Sequence, residues 1–298
     1  MRSQRSGPAA WGARLSTPGS PVCAPNWLTL REPADAAARS VELVDALVAH
    51  LGTTGRDRAI EGLVVRDLGC GTGSVGRWLA PRLPGPQTWV LHDRDLGLLD
   101  RAAVGMPERA ADGSPVTART EEGDVTALCA GDLAGTTLVT ASALLDLLTT
   151  EEVDALAAAC TGAGCAALLT LTVIGDVAFT PMDPLDAVFA AAFDDHQRRD
   201  VDGRRLLGPD AGAVAADAFA RRGAAVTTRS SPWLIGPDEA ALAEEWLRGW
   251  VDAACAQRPE LERHVPSYLD RRMHTDPEGP LVMVGHVDVL ALPGGGSR

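Results

Sequence analysis

The sequence predicts an α/β protein built on a mostly parallel, doubly wound sheet, and three observations support this fold class. Apolar segments of strand length alternate with amphipathic segments of helix length between residues 63 and 173, which is typical of repeated strand–helix–strand units. The run Ala166–Val173 is almost fully apolar, as expected of a strand buried on both faces of a sheet. A turn with glycines at every second position, Gly69 to Gly73, joins the first strand to a helix.

Composition limits the possible classes of function. The 298 residues suffice for one large domain, or a domain with a cap, and 46% of them are hydrophobic. The formal net charge is -13 and every one of the 27 basic residues is arginine, so a nucleic-acid partner is not expected. The six cysteines form no Cys-x-x-Cys pair, so we expect free thiols and no metal site. Without an 18-residue apolar run or a signal peptide, the expected location is the cytoplasm, with no membrane partner.

The chain begins with a segment rich in Ser, Gly, Pro and Arg, and residues 1–24 are expected to form a disordered tail. The ordered domain is expected to span residues 25–298. Pro33 suits the first position of a helix. An apolar stripe over Ala34–Leu51 then predicts one long helix.

The strands and helices of the sheet follow in order along the chain. Each predicted strand is a short apolar or β-branched run bounded by turn residues: Leu63–Asp67, Thr88–Leu91, Val116–Thr120, Thr137–Ser142, Ala166–Val173, Ala224–Arg229 and Leu281–Leu292. Each predicted helix shows apolar residues at helical spacing: Ser74–Pro81, Leu96–Val104, Thr150–Cys160, Pro184–Phe193, Ala211–Arg222, Asp238–Gln257 and Glu260–Met273.

Three segments interrupt this alternation and are expected to form helical cap elements. They span residues 25–52, 175–208 and 236–275. The sequence shows no internal repeat and no second independent core. Cap elements that cover the end of an open sheet would enclose a ligand, because ligands of such sheets bind beyond the carboxyl ends of the strands.

The glycine turn can be read in two registers. Gly71, Gly73 and Gly76 fit the Gly-x-Gly-x-x-Gly spacing of a dinucleotide-binding loop. Gly69, Gly71 and Gly73 form an alternative register, with an acidic residue two positions before the first glycine. The second register makes Gly76 a helix residue that allows close packing. Other residues of the chain must decide between the two.

Four features, in order and in spacing, together resemble the class I S-adenosylmethionine-dependent methyltransferases over residues 60–175. Asp67 precedes the glycine loop, Asp93 ends the second strand, and Asp124 follows the third strand. The fourth feature is the pair of strands at the C-terminus joined by a long connection. The resemblance implies a Rossmann-like seven-stranded sheet of order 3-2-1-4-5-7-6, with the last strand antiparallel.

The resemblance also implies S-adenosyl-L-methionine as the cofactor. In that family the acid after strand two accepts the ribose hydroxyls, and the acid after strand three meets the adenine amino group. The acid before the loop lies near the methionine end. The cofactor-binding residues implied for this chain are Asp67, Gly69, Cys70, Gly71, Gly73, Asp93, Arg94, Asp124, Val125 and Ser142.

The end of strand four bears on the methyl acceptor. Family members that methylate amino groups of bases or of glutamine often carry Asn or Asp followed by Pro-Pro-Tyr or Pro-Pro-Phe there. Residues 140–146 of this chain lack that motif. We therefore expect O- or C-methylation of a small molecule rather than N-methylation. Asp146 is interpreted as a helix cap in preference to a substrate contact.

The cap segments supply the remaining candidate residues. His196 is the candidate general base, because its ordinary pKa lies near neutrality and it belongs to a segment expected to cover the site. An arginine near residues 31–39 could pair with the carboxylate of the cofactor or of an acidic substrate. The expected substrate contacts are Trp27, Arg31, Arg199 and Trp246. For each, a solvated charge or simple packing in the cap is the alternative.

The sequence thus predicts a methyltransferase, acting on a small molecule as a monomer or homodimer. An NAD(P)-dependent oxidoreductase is one alternative, since the dinucleotide register is also present. A methyltransferase-like module that binds the cofactor without catalysis is the other.

Overall fold

The structure, a computed structural model, describes residues 24–54, 62–274 and 281–294. The expected N-terminal tail, up to residue 23, lies outside these ranges. Within them, no helix is both long enough and apolar enough to cross a lipid bilayer.

Ten strands are present in the described residues. They are β1 (Leu63–Leu68), β2 (Gln87–Asp93), β3 (Val116–Glu122), β4 (Leu138–Ser142), β5 (Ala166–Thr180), β6 (Asp200–Val201), β7 (Arg204–Arg205), β8 (Ala225–Ser230), β9 (Trp233–Ile235) and β10 (Leu281–Leu292). The main sheet has the order β3-β2-β1-β4-β5-β10-β8, and β6 pairs only with β7. Strands β3 to β5 are parallel neighbours, whereas β10 runs antiparallel to both β5 and β8. The predicted seven-stranded order with a reversed last strand is confirmed.

Nine helices accompany the strands within the described residues. They are α1 (Pro25–Ala38), α2 (Val41–Thr54), α3 (Ser74–Leu79), α4 (Leu96–Val104), α5 (Thr150–Ala163), α6 (Asp186–Gln197), α7 (Ala211–Arg221), α8 (Ala240–Gln257) and α9 (Val265–His274). Helices α5 and α7 pack on one face of the sheet, and α2, α3 and α4 pack on the other. Strand β5 contacts both layers, because its successive side chains alternate between the faces.

The predicted helix Ala34–Leu51 is wrong, because the chain breaks there into α1 and α2. Arg39 adopts an extended backbone conformation after the last residue of α1. The Ser40 hydroxyl then accepts a hydrogen bond from the backbone N–H of Leu43 at 3.3 Å, which caps the start of α2. Pro25, and not Pro33, occupies the first position of α1.

The cap is built differently from the sequence expectation. Strand β5 continues to Thr180 instead of ending at Val173, so residues 174–180 extend the sheet and do not belong to a helical insertion. They pair with the first half of β10, whose other edge pairs with β9. Helices α1, α6, α8 and α9 pack around this extension in a hydrophobic cluster of their own. The cap therefore has a hydrophobic cluster of its own, and it is built on the same sheet: the extended strands provide a platform on which the cap buries its apolar side chains.

Candidate functional site

A cleft opens at the carboxyl ends of β1, β2 and β4, where an open α/β sheet is expected to bind its ligand. It encloses about 1140 Å³ of space, including the solvent at its mouth. The glycine loop after β1 forms one wall, and α1 forms the wall opposite. The ends of β2 and β4, with the turn that follows β3, complete the lining.

The glycine loop has a backbone that other residues rarely adopt. Gly69, Gly71 and Gly73 have φ values of 60°, 55° and 85°, in the left-handed region. A Cβ added at Gly71 would come within 3.3 Å of the Leu28 side chain on α1. Gly76 instead lies inside α3, where an added Cβ would collide with the sulfur of Met106. The left-handed backbone thus extends over Gly69, Gly71 and Gly73, which favours the register that begins at Gly69.

Asp93 connects the glycine loop to the end of β2. Its Oδ2 accepts a hydrogen bond from the backbone N–H of Gly71 at 2.9 Å, and its Oδ1 accepts one from the N–H of Asp95 at 3.0 Å. A carboxylate has about four lone-pair sites, so both oxygens retain capacity to accept further hydrogen bonds. The side chain lines the cleft, together with the neighbouring Arg94.

The turn after β3 lines one end of the cleft. Asp124 and Val125 are part of the lining, and Asp124 is exposed. The Asp124 Oδ1 accepts hydrogen bonds from both the backbone N–H and the hydroxyl of Thr126, at 2.9 and 2.8 Å. Both of these bonds end on Oδ1, and they fix the orientation of the carboxylate at the cleft.

Two buried side chains of opposite charge lie behind the loop. Asp67 is fully buried; its Oδ1 accepts a hydrogen bond from the Thr140 hydroxyl at 2.7 Å, and its Oδ2 has no partner among the described residues. Burial raises the pKa of Asp67 to about 7, although the Thr140 hydroxyl and the nearby Arg39 act to lower it. Asp67 borders the cleft without lining it.

Arg39 is the positive member of this pair, and only 2% of it is exposed. Its Nη2 donates to the hydroxyls of Ser74 at 3.0 Å and Ser142 at 3.3 Å, two residues that do line the cleft. Its Nε and Nη1 are buried and find no hydrogen-bond partner in the described part of the chain. Burial lowers the pKa of Arg39, and Asp35 and Asp67 oppose that shift.

Helix α1 contributes Leu28, Arg31 and Asp35 to the cleft wall. The Arg31 guanidinium binds the Asp35 carboxylate through Nε at 3.0 Å and Nη2 at 3.0 Å. It also stacks over the rings of Trp233 and Trp27, at 4.9 and 5.9 Å from their centroids. Arg31 is thus held rigidly at the cleft by one carboxylate and two indoles.

The structure brings most of the expected cofactor residues together. The loop residues Gly69, Cys70 and Gly71 line the cleft with Asp93, Arg94, Asp124, Val125 and Ser142. Gly73 is the N-cap residue of α3, directly behind the loop. Of the expected substrate contacts, only Arg31 lines the cleft.

The other substrate candidates lie elsewhere. Trp27 is buried and packs edge to face on Trp233 at 6.3 Å, so it supports Arg31 from behind. Trp246 stacks on Trp250 at 5.6 Å inside the cap core. Arg199 is outside the cleft lining and donates a hydrogen bond to the carbonyl of His196 at 2.8 Å.

His196 does not occupy the position expected of a general base. It is buried in α6, outside the cleft lining, and its Nε2 has no partner within the described ranges. Burial, with a contribution from the neighbouring Arg199, lowers the pKa of His196 to about 4. A helical residue can face the site or the core, and the local sequence does not distinguish these outcomes.

Sequence reasoning missed the Asp35 carboxylate, although a signal for it exists. Leu28, Arg31 and Asp35 are spaced three and four residues apart, which places them on one face of a helix. The predicted helix began at Ala34, so this face could not be recognised.

The sheet and the cleft together decide the fold family. Parallel strands end at the cleft in the order β3-β2-β1-β4-β5, and the antiparallel β10 is inserted between β5 and β8. This is the class I methyltransferase fold. Among the described residues of this methyltransferase fold, no three His, Cys, Asp or Glu side chains are grouped so that they could hold a metal ion.

Comparisons with known proteins add little to this geometry. No protein-family model and no curated protein matches the chain. Among solved structures, it is similar to magnesium protoporphyrin IX methyltransferase from Synechocystis PCC 6803 with bound SAH, at 15% identity, covering 84% of this chain and 82% of that one, with a TM-score of 0.39.

It is also similar to the cyclopropane synthase MmaA2 from Mycobacterium tuberculosis, at 13% identity, covering 88% and 98% of the two chains, with a TM-score of 0.43. The YcgJ protein of Bacillus subtilis matches at 12% identity, covering 86% and 100%, with a TM-score of 0.42. Similarities this low carry no argument about function.

Proposed function

We propose that the protein is an S-adenosylmethionine-dependent methyltransferase that acts on the oxygen or carbon of a small molecule. One observation carries the proposal: the Gly71 N–H donates to the Asp93 carboxylate. This bond joins the glycine loop and the acid after β2 into one wall of a cleft at the carboxyl ends of the strands. An acid so placed can accept the hydroxyls of a nucleoside ribose.

The charged residues around the cleft fit the cofactor. Asp124 lies where an adenine amino group could donate to it, and Asp93 where a ribose could. The methionine part carries one carboxylate and one ammonium group. Arg39 Nε and Nη1 and Asp67 Oδ2 are buried and without partners in the described residues, and they have the complementary charges. Arg39 keeps an ion pair with Asp35 at 3.9 Å, but a buried polar atom without a hydrogen-bond partner is costly, so a zwitterionic ligand that satisfied these atoms would be favoured.

When bound, S-adenosylmethionine supplies a methyl group already activated by a positively charged sulfur. The protein then has to hold the acceptor in line, exclude water and remove any proton that the acceptor loses. Helix α1 closes the cleft opposite the glycine loop, with Leu28 packed over Gly71. The apolar residues Leu144, Leu147 and Leu148 line the cleft after β4, where an acceptor could pack.

The conformation of Gly69 argues against the oxidoreductase alternative. A dinucleotide loop needs its third glycine for close packing between the helix and the strand, with pyrophosphate at the helix N-terminus. Gly76 does pack closely, but Gly69 lies two residues before the dinucleotide register and also takes a positive φ. The loop backbone is thus shaped over Gly69–Gly73.

We infer the class of methyl acceptor from the size and the walls of the cleft. A cleft of this volume is of the size that holds small molecules, and among the cap helices α1 contributes to its wall. We propose that the enzyme works in the cytoplasm as a monomer or homodimer. The five described cysteines are all free thiols, which suits a reducing compartment.

Calorimetry tests the proposal through Asp93. Asp93→Ala should weaken S-adenosylmethionine binding by about 1.5–3 kcal/mol, or roughly 10- to 100-fold, because hydrogen bonds to a charged group are lost. Asp100→Ala, an exposed acid on α4, is the matched control and should bind like the wild type. A wild-type protein that binds NAD(P) and neither S-adenosylmethionine nor S-adenosylhomocysteine would refute the proposed function.

A further inference from the structure

Two guanidinium groups lie at the same end of the cleft, and they share one carboxylate. The Asp35 Oδ2 accepts a hydrogen bond from Arg31 Nε at 3.0 Å and lies 3.9 Å from Arg39 Nη2. Arg39 in turn donates to the hydroxyls of Ser74 and Ser142, which line the cleft. These contacts place Arg31 next to the end of the cleft that the proposed function gives to the methionine part of the cofactor.

Apolar contacts with the glycine loop give Arg31 the same position. Leu28 lies one helical turn before Arg31 on α1, and both side chains line the cleft. A Cβ added at Gly71 would come within 3.3 Å of Leu28, and one added at Gly69 within 3.2 Å of Leu144, which also lines the cleft. Arg31 therefore follows, along the cleft wall, the apolar side chains that cover the glycine loop.

The turn after β4 adds two more apolar side chains to the lining, those of Leu147 and Leu148. The sequence suggested that Asp146, in this turn, caps α5. That interpretation is wrong, because Thr149 is the cap: its hydroxyl accepts from the Glu152 N–H, and the Glu152 carboxylate accepts from the Thr149 N–H. Because this capping box fixes where α5 begins, it also fixes the turn that carries the two leucines.

The Arg31 guanidinium is oriented so that one of its edges remains for a ligand. Its Nε and Nη2 donate to Asp35, and the ring of Trp233 lies against its flat face at 4.9 Å. Its Nη1 donates to no acceptor in the described part of the chain, yet it is accessible, unlike the orphaned nitrogens of Arg39. Trp233 is outside the cleft lining, whereas Arg31 belongs to it. The edge formed by Nη1 and Nη2 is therefore the one that faces the cleft.

The cap holds the pair of Arg31 and Asp35 in place. Asp35 is only 4% exposed, and its Oδ1 also accepts a hydrogen bond from Trp233 Nε1 at 3.1 Å. Trp233 belongs to β9, which pairs with the first half of β10, and Trp27 packs on its ring. A guanidinium that is already immobilised loses little side-chain freedom when it binds an anion.

We propose that Arg31 binds a carboxylate of the methyl acceptor, so that the substrate is an apolar acid with one negative charge. This inference rests on the proposed methyltransferase function, and it deepens it by naming the class of acceptor. The two oxygens of a carboxylate match the parallel N–H groups at the edge of a guanidinium. The apolar part of the acceptor would pack on Leu28, Leu144, Leu147 and Leu148.

The charges at this end of the cleft favour a single carboxylate. Arg31 and Arg39 are balanced by Asp35 and by ionised Asp67, whereas the cofactor carries one net positive charge, on its sulfur. An acceptor with one negative charge neutralises that excess, and a phosphate dianion would exceed it. The cofactor has only one carboxylate, for which Arg39 has orphaned nitrogens. Arg31 is therefore left for the acceptor.

Calorimetry on the full chain, saturated with S-adenosylhomocysteine, tests this site with two matched pairs of small molecules. Benzoate is compared with benzamide, and hexanoate with hexanamide, so that each acid differs from its partner in charge and hardly in shape. In at least one pair the acid should bind about tenfold or more tightly than its amide, because charge-assisted hydrogen bonds are formed. Acids that bind no better than their amides in both pairs would overturn the proposal. Phenyl phosphate that binds more tightly than benzoate would also overturn it.

Three variants assign the preference to Arg31. In Arg31→Gln the acid and its amide should bind within about twofold of each other, since the charge is lost. In Arg31→Lys, which keeps the charge without the fork, the acid should bind more weakly than in the wild type and still better than its amide. Arg248→Gln is the matched control, because Arg248 forms the same kind of pair with Glu244 on the exposed face of α8, at 2.8 Å. A full preference for the acid in Arg31→Gln would contradict the assignment.

Cofactor binding keeps this inference apart from the proposed function. Arg31→Gln should bind S-adenosylhomocysteine within about twofold of the wild type, because the cofactor carboxylate is assigned to Arg39. Methylthioadenosine lacks that carboxylate. If Arg31→Gln lost affinity for S-adenosylhomocysteine and kept it for methylthioadenosine, Arg31 would hold the cofactor, and only the acceptor class would be refuted. A wild-type protein that binds neither S-adenosylmethionine nor S-adenosylhomocysteine would refute the methyltransferase itself.

Discussion

Asp67 and Arg39 interact electrostatically in the protein interior, and each keeps a buried polar atom without a partner in the described residues. Burial changes the ionisation of Asp67. Burial opposes its charged form, and the Thr140 hydroxyl and Arg39 compensate only in part, so the pKa rises to about 7. Near neutral pH, the carboxyl is therefore a mixture of its protonated and ionised forms.

This mixture predicts a pH-dependent affinity for S-adenosylmethionine. The ammonium group of the cofactor would favour ionised Asp67, so below about pH 7 binding has to expel a proton. The affinity should rise by up to about tenfold per pH unit as the pH increases towards 7, and should level off above it. Calorimetry across this range measures the effect, and buffers of different ionisation enthalpy detect the released proton.

Two variants sharpen that measurement. Asp67→Asn should remove both the pH dependence and the proton release. Thr140→Val should move the midpoint upwards, because the hydroxyl that donates to Asp67 at 2.7 Å is lost. A wild-type affinity that stays flat between acid and neutral pH would contradict a contact between Asp67 and the cofactor.

The sequence predicted some side chains of the cleft and not others, for a physical reason. Asp93 is the last residue of β2 and Asp124 follows β3 after one glycine, and the end of a parallel strand fixes where the next residues lie. His196 and Trp246 belong to helices, where a rotation decides whether a side chain faces a cleft or a core. That rotation depends on α6 and α8 packing against the extension of β5, which no local pattern reveals.

At the scale of elements, an ion pair connects α1, one wall of the cleft, to the helix that follows the glycine loop. The carboxylate of Glu32 binds Arg77 of α3 through two hydrogen bonds of 2.6 Å each, and Arg77 also donates to the carbonyl of Thr72 in the glycine loop at 2.6 Å. Both partners are about one quarter exposed. The pair therefore connects the helix over the cleft to the loop beneath it.

Breaking this pair should speed ligand release. In Glu32→Gln, S-adenosylhomocysteine should dissociate faster and bind up to about fivefold more weakly, since partly exposed ion pairs contribute roughly 0.2–1 kcal/mol. Stopped-flow fluorescence measures the release rate. Glu42→Gln breaks a similar two-bond pair with Arg229 away from the cleft, and it should release the ligand at the wild-type rate.

Identical release rates for Glu32→Gln and the wild type would show that α1 does not gate the cleft. Replacing Arg77 is the less informative change, because it would also remove the bond to the loop carbonyl and alter the glycine loop itself.

At the scale of the molecule, two bodies, the methyltransferase layers and the cap, are built on one continuous sheet. The cleft lies between them. Strands β5 and β10 run through both. The first half of β5 and the second half of β10 lie in the methyltransferase layers, whereas the end of β5, the first half of β10 and β9 bury the cap. The alternation of strands and helices predicted the first body. The extension of β5 beyond Val173 could not be predicted, because its exposed and half-buried residues lack the fully apolar pattern of a central strand.

One buried carboxylate connects the sheet to the chain segment between α1 and α2, next to the cleft. Asp288 of β10 is fully buried. It accepts hydrogen bonds from the Ser231 hydroxyl at 2.6 Å, the Leu171 N–H at 2.8 Å and the Ser40 N–H at 2.8 Å. These donors lie on β5, on the link between β8 and β9, and at the break between α1 and α2. Asp288 thus explains why the chain breaks after Arg39 and turns that guanidinium towards Ser74.

Asp288→Ala should lower the free energy of unfolding by about 2–5 kcal/mol, because two backbone N–H groups lose their acceptor and each buried, unsatisfied donor costs roughly 1–3 kcal/mol. Urea unfolding followed by circular dichroism measures this loss. Ser231→Ala removes one donor and leaves the others bound, so it should cost only about 0.5–1.5 kcal/mol. A loss in Asp288→Ala no larger than that of Ser231→Ala would show that the three segments are held together by packing instead. In the folded fraction of Asp288→Ala, S-adenosylmethionine should also bind more weakly, since the position of Arg39 follows from that of Ser40.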